Sequence, residues 1–207
     1  MSVKTSVSDP SNWNDKRRQI IHAASDAFLE KGYKNASMEA IANEASVAKQ
    51  TLYNYFGNKD ALFIEVVKLL CNCENEHLRS EDINNTPVEE VFQAYAQGLL
   101  ADLVSSENTA LFRMMIAEAM HFPNLGKMFF EAGMERDRHL LANFLERLHQ
   151  SGRLQIDDIE QATLFIQGAF NAYFRPRYVM TGEIPSRDTL QKYIDYCIQK
   201  VLLLYRP

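Results

Sequence analysis

The chain has 207 residues, of which 46% are hydrophobic and 24% charged, with a formal net charge of −5; that balance supports a sizeable core and excludes wholesale disorder. No window approaches the roughly 18 uninterrupted apolar residues of a spanning helix, and the first residues lack the apolar stretch of a secretion signal, so a cytoplasmic protein without a membrane partner is expected. Three cysteines, Cys71, Cys73 and Cys197, are too few and too unevenly spaced for a disulfide framework, which suits a reducing compartment.

Residues 1–12 are polar, rich in Ser and broken by Pro10, and read as a mobile arm. From Asn14 to Lys31 the apolar residues Ile20, Ile21, Ala24, Ala27 and Phe28 recur at helical spacing, and Gly32 stands where a helix C-terminus accepts a left-handed backbone. Ser37 is a good cap for a short helix carrying Met38, Ile41, Ala42 and Ala45 on one face. After the tight segment Ser46-Val47, the run from Ala48 to Phe56 puts Ala48, Leu52 and Phe56 on one side and turns Gln50, Tyr53 and Asn54 away from it. Gly57 and Asn58 break and recap the chain before a longer amphipathic helix from Lys59 to about Leu78.

Helix follows helix in the remainder, with no strand-like alternation. Thr86-Pro87-Val88-Glu89 combines a cap, a proline in the first turn and a glutamate at capping-box spacing, predicting a helix to about Val104. Further helices are expected at Asn108 to His121, Asn124 to Ala132 and Met134 to Gln150, the last ended by Gly152. Asp157 and Glu160 read as a second capping box, opening an apolar helix that Pro176 kinks or ends. Ser186 opens a final helix through about Tyr205, with Leu190, Ile194, Cys197, Ile198, Val201 and Leu202 along one stripe. The fold class is all-α.

Two short helices separated by a tight turn, the second presenting Lys, Gln, Thr, Tyr and Asn, fit the requirements of a DNA major groove. Gln pairs with adenine edges, Lys reaches guanine acceptors, a Tyr ring touches a thymine methyl, and hydroxyls and amides hold phosphate oxygens. Any two amphipathic helices of an all-α protein can nevertheless look like this. The charge is unevenly spread: up to Asp60 there are 8 Lys and Arg against 7 Asp and Glu, and beyond it 14 against 20.

The stretches Ala36-Ser37-Met38-Glu39-Ala40-Ile41-Ala42, Ala45 to Phe56 and Gly57-Asn58-Lys59-Asp60-Ala61-Leu62 resemble the DNA-binding signature of the tetracycline-repressor-like (TetR) family of bacterial regulators. Ile20 to Tyr33 is similar to that family's first helix. The resemblance implies a mobile arm (1–12), a three-helix helix-turn-helix head (13–60) and a larger helical ligand-binding and dimerisation domain (61–207), about nine helices in all. It implies a repressor that binds a palindromic operator in double-stranded DNA as a homodimer and is released by a small, apolar molecule. The five histidines form no HExxH pair and no phosphate-cradling glycine loop or nucleophile elbow appears, so no cofactor, metal or enzymatic activity is expected. Lys49, Gln50 and Tyr53 fall at the family's base-reading positions, and Ser37, Thr51, Asn54, Tyr55 and Lys59 at its phosphate-binding ones. The chain departs from the pattern at Ser46, where glycine is common, and at Ala48, where Ser or Thr usually caps the recognition helix. Glu39 puts a like charge beside the phosphates.

By the same resemblance the last two long helices, 159–175 and 187–205, pair with their copies in a four-helix bundle, with Phe165, Ala169, Tyr173, Ile194, Ile198 and Val201 as interface candidates. The body is rich in soft and aromatic residues, which suit an adaptable apolar pocket. Phe92, Tyr95, Phe112, Met115, Met120, Phe122, Phe129 and Phe130 are the pocket candidates. Two other readings stay open: the same DNA-binding role switched by oxidation of Cys71, Cys73 or Cys197, and an all-α enzyme or small-molecule carrier.

Overall fold

A computed structural model of the chain describes residues 10–71, 85–171 and 174–207, and these form only helices and their connections. No helix among the described residues is long and apolar enough to cross a membrane. Helix α1 (Pro10–Asn35) starts earlier than the apolar pattern indicated, because proline is well tolerated in a first turn. Its helical geometry breaks at Gly32, whose φ of 76° and ψ of 163° belong to a region that side chains exclude. Ser37 then caps α2 (Met38–Glu44), its Oγ accepting from the Ala40 amide at 3.1 Å.

The turn into α3 (Lys49–Phe56) passes through Ser46 at φ 50°, the one positive-φ residue other than glycine among those described. Ala48 leaves the α3 N-terminus without a side-chain cap. Gly57 at φ 74° reverses the chain, and Asn58 caps α4 (Lys59–Leu70) by accepting from the Ala61 amide at 2.8 Å. Helix α4 ends at Leu70, short of the expected Leu78, which lies outside the described residues.

The body contains α5 (Val88–Val104), α6 (Ser106–Glu118), α7 (Pro123–Phe129), a π turn (Phe130–Glu135), α8 (Arg136–Gln150), α9 (Ile159–Asn171), α10 (Phe174–Thr181) and α11 (Arg187–Leu204). Helices α7 and α8, expected to be separate, are one continuous helical run through the π turn. The cap of α9 is Asp158, which accepts from the Gln161 amide at 3.0 Å, one residue later than the expected Asp157. Pro176 lies in the first turn of α10, where its missing N–H interrupts no helical bond.

Two apolar clusters hold the chain together. One joins Ile20, Phe28 and Leu52 of the head and Leu62 and Phe63 of α4 to Leu111 and Met115 of α6 and to Leu125 and Phe129 of α7. The other packs α5, α8, α9 and α11 around Phe92, Tyr95, Phe144, Leu148 and Ile166. Helix α6 is also tied to the far end of α10, since Arg113 donates to the carbonyls of Val179 at 2.7 Å and Tyr178 at 3.3 Å.

Where the head meets the body, the Phe28, Tyr33 and Phe63 rings pack at 5.4–5.7 Å, and Phe122 meets Tyr33 at 5.7 Å. Glu118, at the end of α6, accepts from the Lys34 amide at 3.5 Å, and a Cβ at Gly32 would lie 2.9 Å from the same carboxylate oxygen. The backbone conformation requires glycine at position 32; the Glu118 carboxylate would also have to shift to admit a Cβ, which its flexible side chain allows. Gly32→Ala is expected to cost about 1–3 kcal/mol, lowering the melting temperature by roughly 2–4 °C per kcal/mol in a thermal unfolding scan. The added substitution Glu118→Ala should recover only the steric part of that loss.

Candidate nucleic-acid interface and internal cavity

Helix α3 buries Leu52 and Phe56 and exposes Lys49, Gln50, Tyr53 and Asn54, while Thr51 and Tyr55 are half-buried at its edges. Gln50 donates from Nε2 to Asn54 Oδ1 at 2.9 Å, so two amides one turn apart orient each other on the outward face. Lys49 reaches the Glu39 carboxylate of α2 at 3.5 Å. Both partners are exposed, and such a pair is worth about 0–1 kcal/mol, which leaves Lys49 available to a stronger anion. Ser37 uses its hydroxyl oxygen in the α2 cap.

Lys59 stands apart from this set. Its ammonium lies 4.3 Å over the Tyr33 ring and donates to the Lys34 carbonyl at 3.3 Å. Burial lowers its pKa against the opposing pull of the Glu118 and Asp60 carboxylates. Tyr33 in turn donates its hydroxyl to Asp60, and burial, that bond and the neighbouring charge raise its pKa. Lys59, Tyr33, Asp60 and Glu118 thus form one polar joint between head and body.

A cavity of about 740 Å³ opens in the body, walled by α6, the π turn, α8, α9 and α10. Its wall is mainly apolar, from Leu111, Phe112 and Ile116 of α6, Phe129 of α7, Phe130 and Met134 of the π turn and Leu164 of α9. The widened π turn carries a run of wall residues, in keeping with the placement of such turns at functional sites. Polar groups interrupt the wall at Glu135, Arg138 and Glu160, and again at Gln167, Asn171 and Arg175.

Of the eight residues expected to form a pocket, Phe112, Phe129 and Phe130 line this cavity. Phe92 and Tyr95 are instead wholly buried in the body core, against Phe144 at 5.7 Å and Phe170 at 5.9 Å. Met115 faces the head, Phe122 packs on Tyr33, and Met120 is 85% exposed. Gln167 and Asn171 of α9 and Arg175 of α10 were not among the expected pocket residues, although polar residues every four positions in an otherwise apolar stretch were a visible signal.

The expected dimer stripe also needs correction. Ile194, Ile198 and Val201 are buried inside the chain's own core, because that face of α11 packs on α5 and α9. Ala169 is half-buried, its carbonyl accepting from the Tyr193 hydroxyl at 2.6 Å, and Tyr173 lies outside the described residues. Phe165 is 51% exposed, and Leu164, Tyr196, Leu203 and Leu204 on the same two helices join it at the surface. Cys197 is buried and its thiol pKa is pushed up by that burial despite a hydrogen bond with Tyr193, so it is a poor thiolate nucleophile. Cys71 is half-buried on the cavity wall beside Gly133, and Cys73 lies outside the described residues.

Residues 20–66 match the sequence profile described as bacterial regulatory proteins, tetR family, and residues 90–207 match that described as the C-terminal domain of AefR-like transcriptional repressors. The HTH-type transcriptional regulator HbdR of Aromatoleum sp. (strain CIB) is 39% identical over 94 residues, covering 45% of this chain and 41% of that protein. The match therefore spans less than half the length of that curated relative. A TetR-family transcriptional regulator from Mesorhizobium loti MAFF303099 superposes with a TM-score of 0.77 at 31% identity, over 94% of this chain and 98% of its own. The flavonoid-responsive regulator FrrA superposes at 0.73 with 28% identity, over 94% and 98%.

The uncapped start of α3 makes a simple expectation. Ala48→Ser supplies an acceptor for the orphan amides of the first turn and is expected to stabilise the protein by about 1 kcal/mol, read as a higher melting temperature. An unchanged or lower value would show that another group already serves those amides.

Proposed function

This chain belongs to the TetR family of bacterial regulatory proteins, DNA-binding regulators of transcription, and from that premise we propose that it is a repressor that binds a palindromic operator as a homodimer and is released when a small molecule fills the body cavity. The observation that carries the reading is the double use of α6. Leu111 and Met115 belong to the apolar cluster of the head, while Leu111, Phe112 and Ile116 line the cavity. A molecule that displaces this wall acts on the helix against which the head is packed. Release requires that the molecule bind the two head arrangements unequally, since equal affinity shifts nothing.

Lys49, Gln50 and Tyr53 are assigned to base edges, and Ser37, Thr51, Asn54 and Tyr55 to phosphates. Lys59 is the weakest of the phosphate assignments, because its ammonium already serves the joint at Tyr33 and Lys34. One head covers one half-site, and the head is barely positive, so tight binding depends on a second copy held about one helical turn away. The apolar residues left exposed on α9 and α11, Phe165 and Leu203 among them, support pairing through those helices. The cytoplasm is the proposed location.

Footprinting on DNA upstream of the chain's own gene should reveal two half-sites, with affinity falling steeply as salt rises. Tyr53→Ala and Gln50→Ala should each weaken binding by about tenfold or more, the value of one base contact, with the circular dichroism spectrum unchanged. Phe165→Glu combined with Leu203→Glu should shift the sedimenting species from dimer to monomer and lose the footprint. Salt-independent binding, or full operator affinity in the monomer, would contradict the proposal.

A further inference from the structure

We propose that the occupant of the body cavity is an amphipathic anion, an apolar or aromatic body carrying one carboxylate-like group that Arg175 receives. The inference deepens the reading above by naming the chemistry of the molecule, and it rests on that reading only in taking the cavity as a ligand site.

The two arginines of the cavity wall are not equivalent. Arg138 is neutralised within the protein: its Nε donates to Glu135 Oε1 at 2.9 Å and its Nη1 lies 3.8 Å from Glu160 Oε1. The Glu135 carboxyl is correspondingly held below the usual carboxylate range, chiefly by its hydrogen bond with Arg138. Asp137, the third carboxylate of the wall, is also engaged. Arg175, in contrast, has no carboxylate partner among the described residues. Its Nε donates to Asn171 Oδ1 at 3.3 Å, and its guanidinium carbon lies 5.6 Å over the Phe112 ring.

A guanidinium cannot shed its charge, and a charge facing an apolar wall is costly unless an anion or water meets it. Its planar fork of N–H donors matches the two oxygens of a carboxylate. The fork is also held in place: Asn171, which accepts from Arg175, donates its own Nδ2 to the Gln167 carbonyl at 3.2 Å, and the guanidinium packs over the Phe112 ring. Beside this polar row α9 has Gly168, where a Cβ would meet nothing within 4 Å, so the helix leaves room for the body of the molecule. Phe112, Phe129, Phe130, Met134 and Leu164 provide its apolar surroundings. A neutral apolar molecule would bury this guanidinium without an anion.

Two fluorescent probes with the same aromatic body separate these cases: 8-anilino-1-naphthalenesulfonate, whose sulfonate stands in for the carboxylate, and the uncharged N-phenyl-1-naphthylamine. In fluorescence titrations of the DNA-free full chain, Arg175→Gln should weaken the anionic probe by about tenfold and the neutral probe by less than twofold, with Arg175→Lys in between. Gly168→Phe, which fills the space, should weaken both. Dodecanoate and 1-naphthylacetate should displace the neutral probe from the native chain better than dodecanol and 1-naphthaleneethanol do, and the ranking within the acids tells an aliphatic from an aromatic body. Equal effects of Arg175→Gln on both probes, no effect on either, or anionic binding that survives Gly168→Phe would overturn the inference. The measurement needs no operator, so Arg175-dependent binding of the anion that left the protein on its operator would contradict release and leave the ligand class standing.

Discussion

Leu111 and Met115 of α6 lie in the same apolar cluster as Ile20, Phe28 and Leu52 of the head. Burying each such side chain is worth about 1.5–3 kcal/mol, so the head cannot part from α6 without exposing a large share of its own core. A linker between independent units would let the head tumble; a shared core gives it one position relative to the body. On the adjoining side of the same helix, Phe112 and Ile116 face the cavity. The position of the DNA-reading surface and the shape of the cavity are therefore two consequences of where a single helix lies.

The polar joint beside that core adds direction to it. Packing alone would allow α6 to slide, but Glu118 meets the Lys34 amide next to Gly32, and Lys59, Tyr33 and Asp60 close the contact from the α4 side. Arg113 of α6 holds the last-turn carbonyls of α10, so a displacement of α10 is also felt at α6. Arg175 sits in the first turn of the same α10 and lines the cavity. Under the proposed function, an anion received by Arg175 would act on the helix against which the head packs.

The head was legible in the sequence because its local signals are strong and short-range. Ser37, Gly32, Asn58, Leu52 and Phe56 each do in the structure what their residue type and spacing implied, and the two irregular positions, Ser46 and Ala48, are a left-handed residue and an uncapped helix start. The body was legible as helices but not as faces. The stripe at Ile194, Ile198 and Val201 was correctly apolar, yet periodicity cannot say whether a stripe meets its own chain or another copy, and here it meets α5 and α9. The cavity wall was harder still, since it combines residues from separate helices with a π turn that breaks the 3.6-residue period. Polar wall residues such as Arg175 leave no mark in apolar composition, which is the signal a pocket of soft and aromatic residues gives.

Hydrogen exchange on Leu111→Ala, read helix by helix in the DNA-free protein, tests the shared-core account most directly. Leu111 is 1% exposed and lies between head and cavity, and its truncation should cost about 2–5 kcal/mol. If α6 and the head share one core, α1 and α4 will lose protection together with α6. Faster exchange confined to α6 and the body, with α1 and α4 as protected as before, would show that the head stands on its own and would contradict the account.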